Sequence, residues 1–359
     1  MGELELFLMA LSKIGNFLLI VFSFILLVFP VVIVHEYGHY LVGKLLGAKP
    51  KIFSIGFGKT IFSIKTKQTL WKIGWIPLGG FVMFTHKQFE FEDLEQKEQI
   101  ITGAGIELDE KPKVLSPWRW VFISLAGPLA NFAFTFVILT SLITWAFSSI
   151  TFYEVNKNHE TLVKGDRVVA IGDGLVKNLP MVKRMFFGEA EGNILKIPKG
   201  MSPEALEITE GEVQNIATVK TTTFLEDLKK SSGYSVYLLG VMMKATTEGL
   251  LGLVTKPQEG YKGIMGPMGI ASEAENARSK GFINFILFMA LISFAIGFFN
   301  LIPLFILDGG RCLVAVVETV IMRPLNRRVL DLYASLSLLS IFLLLMVAMF
   351  ADTLRLFFS

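Results

Sequence analysis

Cysteine occurs once, at Cys312. That excludes an internal disulfide and any multi-cysteine zinc site, so a zinc site in this chain has to be built from histidine and carboxylate. An excess of one charge is also missing. Lys and Arg number 34 against 31 Asp and Glu, a net charge of +3. No stripe of basic and aromatic residues runs along the chain, and nucleic acid is excluded as a partner. Charged residues make up 18% of the sequence and hydrophobic ones 52%, with a mean hydropathy of +0.57. This is too apolar for an ordinary soluble domain and points to the lipid bilayer. A cleavable leader is not expected: Glu3 and Glu5 open the chain, Lys13 is the one basic residue before the apolar run Ile14 to Val34, and no small-residue cleavage site follows. The sequence has no internal repeat and no low-complexity tract.

What is present is a set of long apolar runs. Crossing a bilayer takes roughly 20 apolar residues, and four stretches qualify: Ile14 to Leu46, Trp120 to Phe147, Phe282 to Leu307 and Leu332 to Phe350. Lys49, Lys51, Lys59, Lys65, Lys67 and Lys72 follow the first run, and Arg323, Arg327 and Arg328 precede the last. The positive-inside bias makes both connections cytoplasmic, with the long region between the second and third spans outside. That region opens with polar, glycine-punctuated sequence and short β-branched runs such as Arg167 to Ile171 and Ala217 to Lys220, the pattern of a small β-rich domain. Tyr234 to Val254 is apolar but broken by Lys244 and Glu248, and reads as an amphipathic helix in the outer interface rather than a fifth span. Gln88 to Pro117 reads as a cytoplasmic amphipathic or irregular connection.

The first span holds an anomaly, HEYGH at residues 35–39. His35 and His39, four apart, lie on one helix face a turn from each other and can reach one ion. Glu36 beside them can reach a water on that ion as a catalytic base. An ionisable group in a bilayer costs about 2–3 kcal/mol or more, so three within five residues need a compensating partner, and divalent zinc is one. The competing reading puts them past the helix end, solvated in the interface. Tyr40, Leu41 and Val42 continue the apolar run beyond them and argue against it. Catalytic zinc takes three protein ligands and keeps one position for water. His86 and His159 fall in polar segments and read as solvated. Asp308, in NLIPLFILDGG, lies near the same end of a parallel span, where Pro303, Gly309 and Gly310 break regular helix. It reads equally well as a cap of the helix that follows, so both readings stand at this point.

Several motifs in order carry a resemblance: HEYGH; IGFG (Ile55 to Gly58) and IPLGGFV (Ile76 to Val82); AGPLANF (Ala126 to Phe132); LVKGDRVVAI (Leu162 to Ile171); GPMGI (Gly266 to Ile270); and FNLIPLFILDGG (Phe299 to Gly310). Over nearly its whole length the chain resembles the site-2 protease family of intramembrane zinc metalloproteases, most closely its bacterial RseP-like branch. The resemblance implies that His35, His39 and Asp308 bind zinc, that Glu36 is the base, and that Asn300, Gly79 and Gly80 support the substrate or the site. The implied fold is a polytopic α-helical membrane protein of about four transmembrane helices, with a membrane-re-entrant β-hairpin and a small extracytoplasmic PDZ-like domain. The corresponding division is 1–48, first span with HExxH; 49–117, re-entrant hairpin and connection; 118–150, second span; 151–222, PDZ-like domain; 223–281, interfacial helix region; 282–322, third span with the LDG motif; 323–359, fourth span. The implied setting is the bacterial inner membrane with the active site near the cytoplasmic side. The implied substrate is a single-pass membrane protein, such as an anti-sigma factor or a remnant signal peptide, and the PDZ-like domain would take a peptide ligand. Two departures stand out. Phe305 occupies a place where the family often has a second proline, and only one PDZ-like stretch fits where some relatives carry two.

Two other functions compete. A non-enzymatic relic of the fold would have lost Glu36 or a ligand, and none is lost. A metal transporter would not need Glu36 and would usually show two related halves, which are not seen here.

Overall fold

The structure is a computed structural model that describes residues 3–86, 88, 115–148, 150–155, 167–171, 194–197, 204–205, 217–219, 224–255 and 265–358. His159, residues 162–166 of the PDZ-like motif and residues 89–114 of the connection lie outside the described residues. The chain forms two compact units. One comprises Met1–Thr135, Met242–Lys280 and Phe288–Ser359, and the other Phe136–Val241 and Gly281–Leu287.

Helix α1 (Glu3–Leu45) is a single apolar run with Pro30 inside it. A proline there removes one intrahelical hydrogen bond and kinks the axis. The helix stops in a Schellman turn. Gly47 takes φ +80, Ala48 N–H donates to the Gly43 carbonyl at 2.8 Å and Gly47 N–H to the Lys44 carbonyl at 3.3 Å, which satisfies two of the orphaned last-turn carbonyls. Helix α2 (Pro117–Ser148) begins on a proline, whose missing N–H has no intrahelical partner to lose at that position.

Between them runs a hairpin of β1 (Pro50–Lys65) and β2 (Leu70–Phe84). Its turn is closed by Thr66 N–H donating to the Thr69 carbonyl at 2.9 Å. The ladder is heavily bulged. Ile52 to Ile55 register both with Gly80 to Met83 and with Leu70 to Ile73, while Leu70 to Ile73 register again with the far end of β1. Both edges of Leu70 to Ile73 are therefore occupied. Residues 50–56 are buried and 57–65 exposed. The base of the hairpin sits on α1, where Tyr40, Phe53 and Trp71 form an aromatic cluster with centroids 4.6 to 5.9 Å apart.

The second unit holds an antiparallel sheet of five strands, β3 (Ile150–Val155), β4 (Arg167–Ile171), β5 (Ile194–Ile197), β6 (Glu204–Ala205) and β7 (Ala217–Val219), in the order β6-β5-β4-β3-β7. A long helix, α3 (Phe224–Thr255), follows in sequence. Then come α4 (Pro267–Ser279), α5 (Phe282–Asn300), α6 (Asp308–Ile321) and α7 (Arg327–Phe358).

Among the described residues, four segments are long and apolar enough to cross a membrane: Leu11–Leu45, Pro117–Trp145, Phe282–Asn300 and Arg327–Thr353. Their outward faces carry Phe17, Leu18, Leu338 and Phe350, each at least 60% exposed, which suits lipid and not water. The chain is a polytopic α-helical membrane protein. The third span ends at Asn300, earlier than the uncharged run does, because Pro303 and the fold-back after it interrupt the helix.

GPMGI acquires a local reason. Buried Asp352 of α7 accepts Gly266 N–H at 3.0 Å and Gly269 N–H at 2.9 Å. A Cβ at either glycine would stand 2.5 and 2.7 Å from its carboxylate oxygens. Glycine thus lets a carboxylate cap the α4 N-terminus, where the helix dipole favours it. At the other end of α4, Arg278 pairs with Glu275 at 2.8 Å, and Ser23 of α1 donates to Glu275 at 2.6 Å.

Candidate metal centre

Three donor atoms from two distant parts of the chain converge. Asp308 Oδ2 lies 3.0 Å from His35 Nε2 and 3.2 Å from His39 Nε2, and the two Nε2 atoms are 3.3 Å apart. Tetrahedral zinc with bonds of roughly 2.0–2.1 Å puts its ligand atoms roughly 3.3 Å apart, so the triangle has the size that such an ion requires. The three residues are the one group of this kind among the described residues. His35, Glu36 and His39 are 8 to 9% exposed, so the interface-solvated reading of the motif is set aside.

Helical periodicity on α1 puts the two histidines on one face, against α2. His39 Nδ1 donates to the Ile123 carbonyl at 2.7 Å. A carbonyl only accepts, so the proton sits on Nδ1 and the Nε2 lone pair is free. His35 Nδ1 lies 3.2 Å from Asn131 Nδ2. The helices cross closely: a Cβ on Gly38 would overlap the Ala126 carbonyl oxygen, and one on Gly127 the His39 ring.

Asp308 arrives by a folded-back loop. Leu301 to Leu307 leave α5 as irregular backbone, and α6 starts at Asp308 itself, with Leu307 as N-cap and no side-chain cap. The carboxylate is turned to the histidines and does not cap its own helix. A Cβ on Gly309 would overlap the Leu301 carbonyl and one on Gly310 the Leu304 carbonyl, so the DGG run needs two residues without side chains. Helix α7 clamps the loop: the Tyr333 hydroxyl donates to the Pro303 carbonyl at 2.7 Å, and Phe305 N–H to Ser337 Oγ at 2.8 Å. Phe305, the first departure from the motif, thereby has a use, since a proline at 305 would have no N–H to give.

The remaining predicted positions are close by in part. Gly80 abuts Glu36: a Cβ there would lie 2.7 Å from Glu36 Cγ. Gly79 takes φ +126 beside the Phe57 ring, a conformation that side chains rarely allow. Asn300 closes α5, and its amide donates to the Ile296 carbonyl of its own helix at 3.0 Å. His86 is 7% exposed, which corrects the expectation of a solvated side chain. The bond from Thr85 N–H to the Lys49 carbonyl at 3.0 Å draws this segment into the base of the hairpin. Ile123, Gly127 and Asn131, which back the histidines, were not anticipated. Their signal was one amide in an otherwise apolar AGPLANF.

Residues 23–344 match the model of Peptidase family M50. The chain belongs to peptidase family M50. A zinc metalloprotease, so named, of Mesorhizobium japonicum is 29% identical over 352 residues, 88% of this chain and 92% of that one. One of Agrobacterium fabrum is 30% identical over 84% of this chain and 87% of its own. One of Rickettsia conorii is 24% identical over 95% and 100%. This M50 peptidase is a membrane metalloprotease of the site-2 type.

Proposed function

We propose that the chain is an intramembrane endopeptidase that cleaves the transmembrane segments of single-pass membrane proteins, with His35, His39 and Asp308 holding zinc and Glu36 as the catalytic base. The cofactor is zinc. The observation that carries the reading is the triangle of donor atoms at 3.0, 3.2 and 3.3 Å, adjacent to a buried glutamate in a membrane-spanning segment. Zinc, when bound, makes a coordinated water acidic and polarises a carbonyl. Glu36 removes the proton from the attacking water and returns it to the leaving amine. Asn300, at the end of α5, supports the substrate main chain or the developing oxyanion.

The hairpin supplies the substrate's backbone partners. It bears exposed Phe57, Ile61, Phe62, Ile64 and Trp75, which favours insertion into the membrane as a re-entrant element. A substrate drawn out of its helix has no water to satisfy its amides, so addition to a sheet edge is the available solution. Both edges of Leu70 to Ile73 are paired, and the edge nearest the base is that of Gly79 to Val82, since Gly80 touches Glu36. The basic connections favour a metal near the cytoplasmic side of a bacterial inner membrane, with residues 151–222 outside as a PDZ-like domain that takes a peptide ligand. The proposed substrate is an anti-sigma factor or a remnant signal peptide, as the resemblance to the site-2 proteases implies.

The test uses a tagged single-span substrate in liposomes. Glu36→Gln lowers cleavage by about 100-fold or more, the scale of general-base catalysis, and keeps its zinc. Asp308→Ala loses both zinc and activity. Cleavage at the wild-type rate by Glu36→Gln removes the protease mechanism, and zinc retained by Asp308→Ala removes the ligand assignment.

A further inference from the structure

Residues 123, 127 and 131 recur at four-residue spacing on α2 and face the two histidines as one stripe. The first is settled by chemistry, because a carbonyl fixes the His39 proton on Nδ1. The second is a gap that lets the rings pack against backbone. The third is less simple. Asn131 is fully buried, points Nδ2 at His35 Nδ1 from 3.2 Å, and its own Oδ1 has no hydrogen-bond partner among the described residues. A buried carbonyl oxygen with no donor has lost its hydration without replacement, which is unfavourable. Turning the amide by half a revolution would bring Oδ1 to His35 Nδ1 and give that oxygen a donor.

The two orientations select different His35 tautomers. With Nδ2 facing the ring, Nδ1 accepts, and the proton sits on Nε2, from which it donates to Asp308 Oδ2 at 3.0 Å. With Oδ1 facing the ring, Nδ1 carries the proton and the Nε2 lone pair is released toward the centre of the triangle, matching His39. We propose that Asn131 is a positioning residue that sets the His35 tautomer, holding Nε2 ready for zinc when its amide oxygen faces the ring. Its own position is fixed independently. The Asn131 carbonyl accepts from Thr135 Oγ1 at 2.9 Å and from Ser293 Oγ of α5 at 3.1 Å, and Gly297 packs against its Cβ. The backbone and Cβ of the residue are thus held in place, and what differs between the two arrangements is the turn of the terminal amide. The residue acts through His35 and touches no substrate. Outer hydrogen-bond partners of ligating histidines characteristically tune affinity in this way.

The inference rests on the zinc ligand assignment above, and the experiment keeps the two apart. Zinc affinity is measured by chelator competition on the full-length chain in detergent for wild type, Asn131→Leu, Asn131→Asp and His35→Ala, alongside the absorption bands of the cobalt-substituted proteins. Leu is close in size and can accept nothing; Asp can accept Nδ1–H. Asn131→Leu weakens zinc by about 10- to 100-fold and shifts the cobalt bands, whereas Asn131→Asp stays within a few-fold of wild type. A role confined to helix packing predicts that the buried charge of Asp is at least as harmful as Leu. Wild-type zinc affinity in Asn131→Leu, or equal loss in both variants, overturns the proposal. Undiminished zinc in His35→Ala instead overturns the ligand assignment beneath it. If Asn131→Leu does not fold, Asn131→Asp still decides: weakening of tenfold or more overturns the proposal.

Discussion

Gly80 is where the hairpin meets Glu36, the proposed base, and a side chain has no room there. A Cβ there would lie 2.7 Å from Glu36 Cγ and 2.7 Å from the Ser54 carbonyl. The backbone cannot retreat, so Gly80→Val displaces the carboxylate. Proteolysis falls by about 100-fold or more, the worth of a positioned general base, while zinc content, measured by atomic absorption, stays at one per chain. Full activity in this variant would dissociate the hairpin from the catalytic position. The two histidines and Glu36 were legible in the sequence because an i, i+4 spacing is a local property of the helix. Asp308 was only half legible, since ligand and cap look alike until the fold-back of Leu301 to Leu307 decides which way its carboxylate turns. Asn131 was not legible, because its partner is 96 residues away and one amide in an apolar helix is as easily a packing residue.

At the scale of elements, the spans were readable from apolar length and the hairpin's edges were not, because pairing of Ile52 to Ile55 with two parts of β2 is set by bulges. Helix α4 was merged into a longer interfacial region, since neither of its anchors is local. Asp352 and Ser23 reach it from the two ends of the sequence. The second anchor is pH-dependent. Hydrogen bonds from Arg278 and then Ser23 hold the Glu275 carboxyl below its usual range. A lowered carboxyl contributes fully above the unfolded value of about 4.3, and its contribution is lost as pH falls through the lower folded one. A spin label at Ser279 therefore stays restricted at neutral pH and gains mobility only in that acid window. Glu275→Gln makes its mobility independent of pH there; a label equally mobile at all pH values would remove the anchor.

For the molecule as a whole, the proposed function makes the substrate a transmembrane segment that is most stable as a helix where the hydrolytic centre meets it, and this sets the rate-limiting difficulty. The donors of the triangle are buried beside segments long and apolar enough to cross a membrane, and the proposed docking edge beside Glu36 would accept only extended chain. Cleavage must then be preceded by unwinding of roughly one or two turns of substrate, in lipid where every freed amide needs a new partner. A glycine lowers the helix stability of such a segment by about 1 kcal/mol relative to alanine, which raises the unwound population about 5-fold. Substrates of equal length and hydropathy, with Ala or Gly near the scissile bond, should be cut at rates that differ by about that factor per glycine. A peptide already extended in detergent should lose the distinction. Glu36→Gln lowers both rates without changing their ratio, because unwinding precedes the proton transfer. Equal rates for the Ala and Gly substrates would place unwinding after, or outside, the step that limits cleavage.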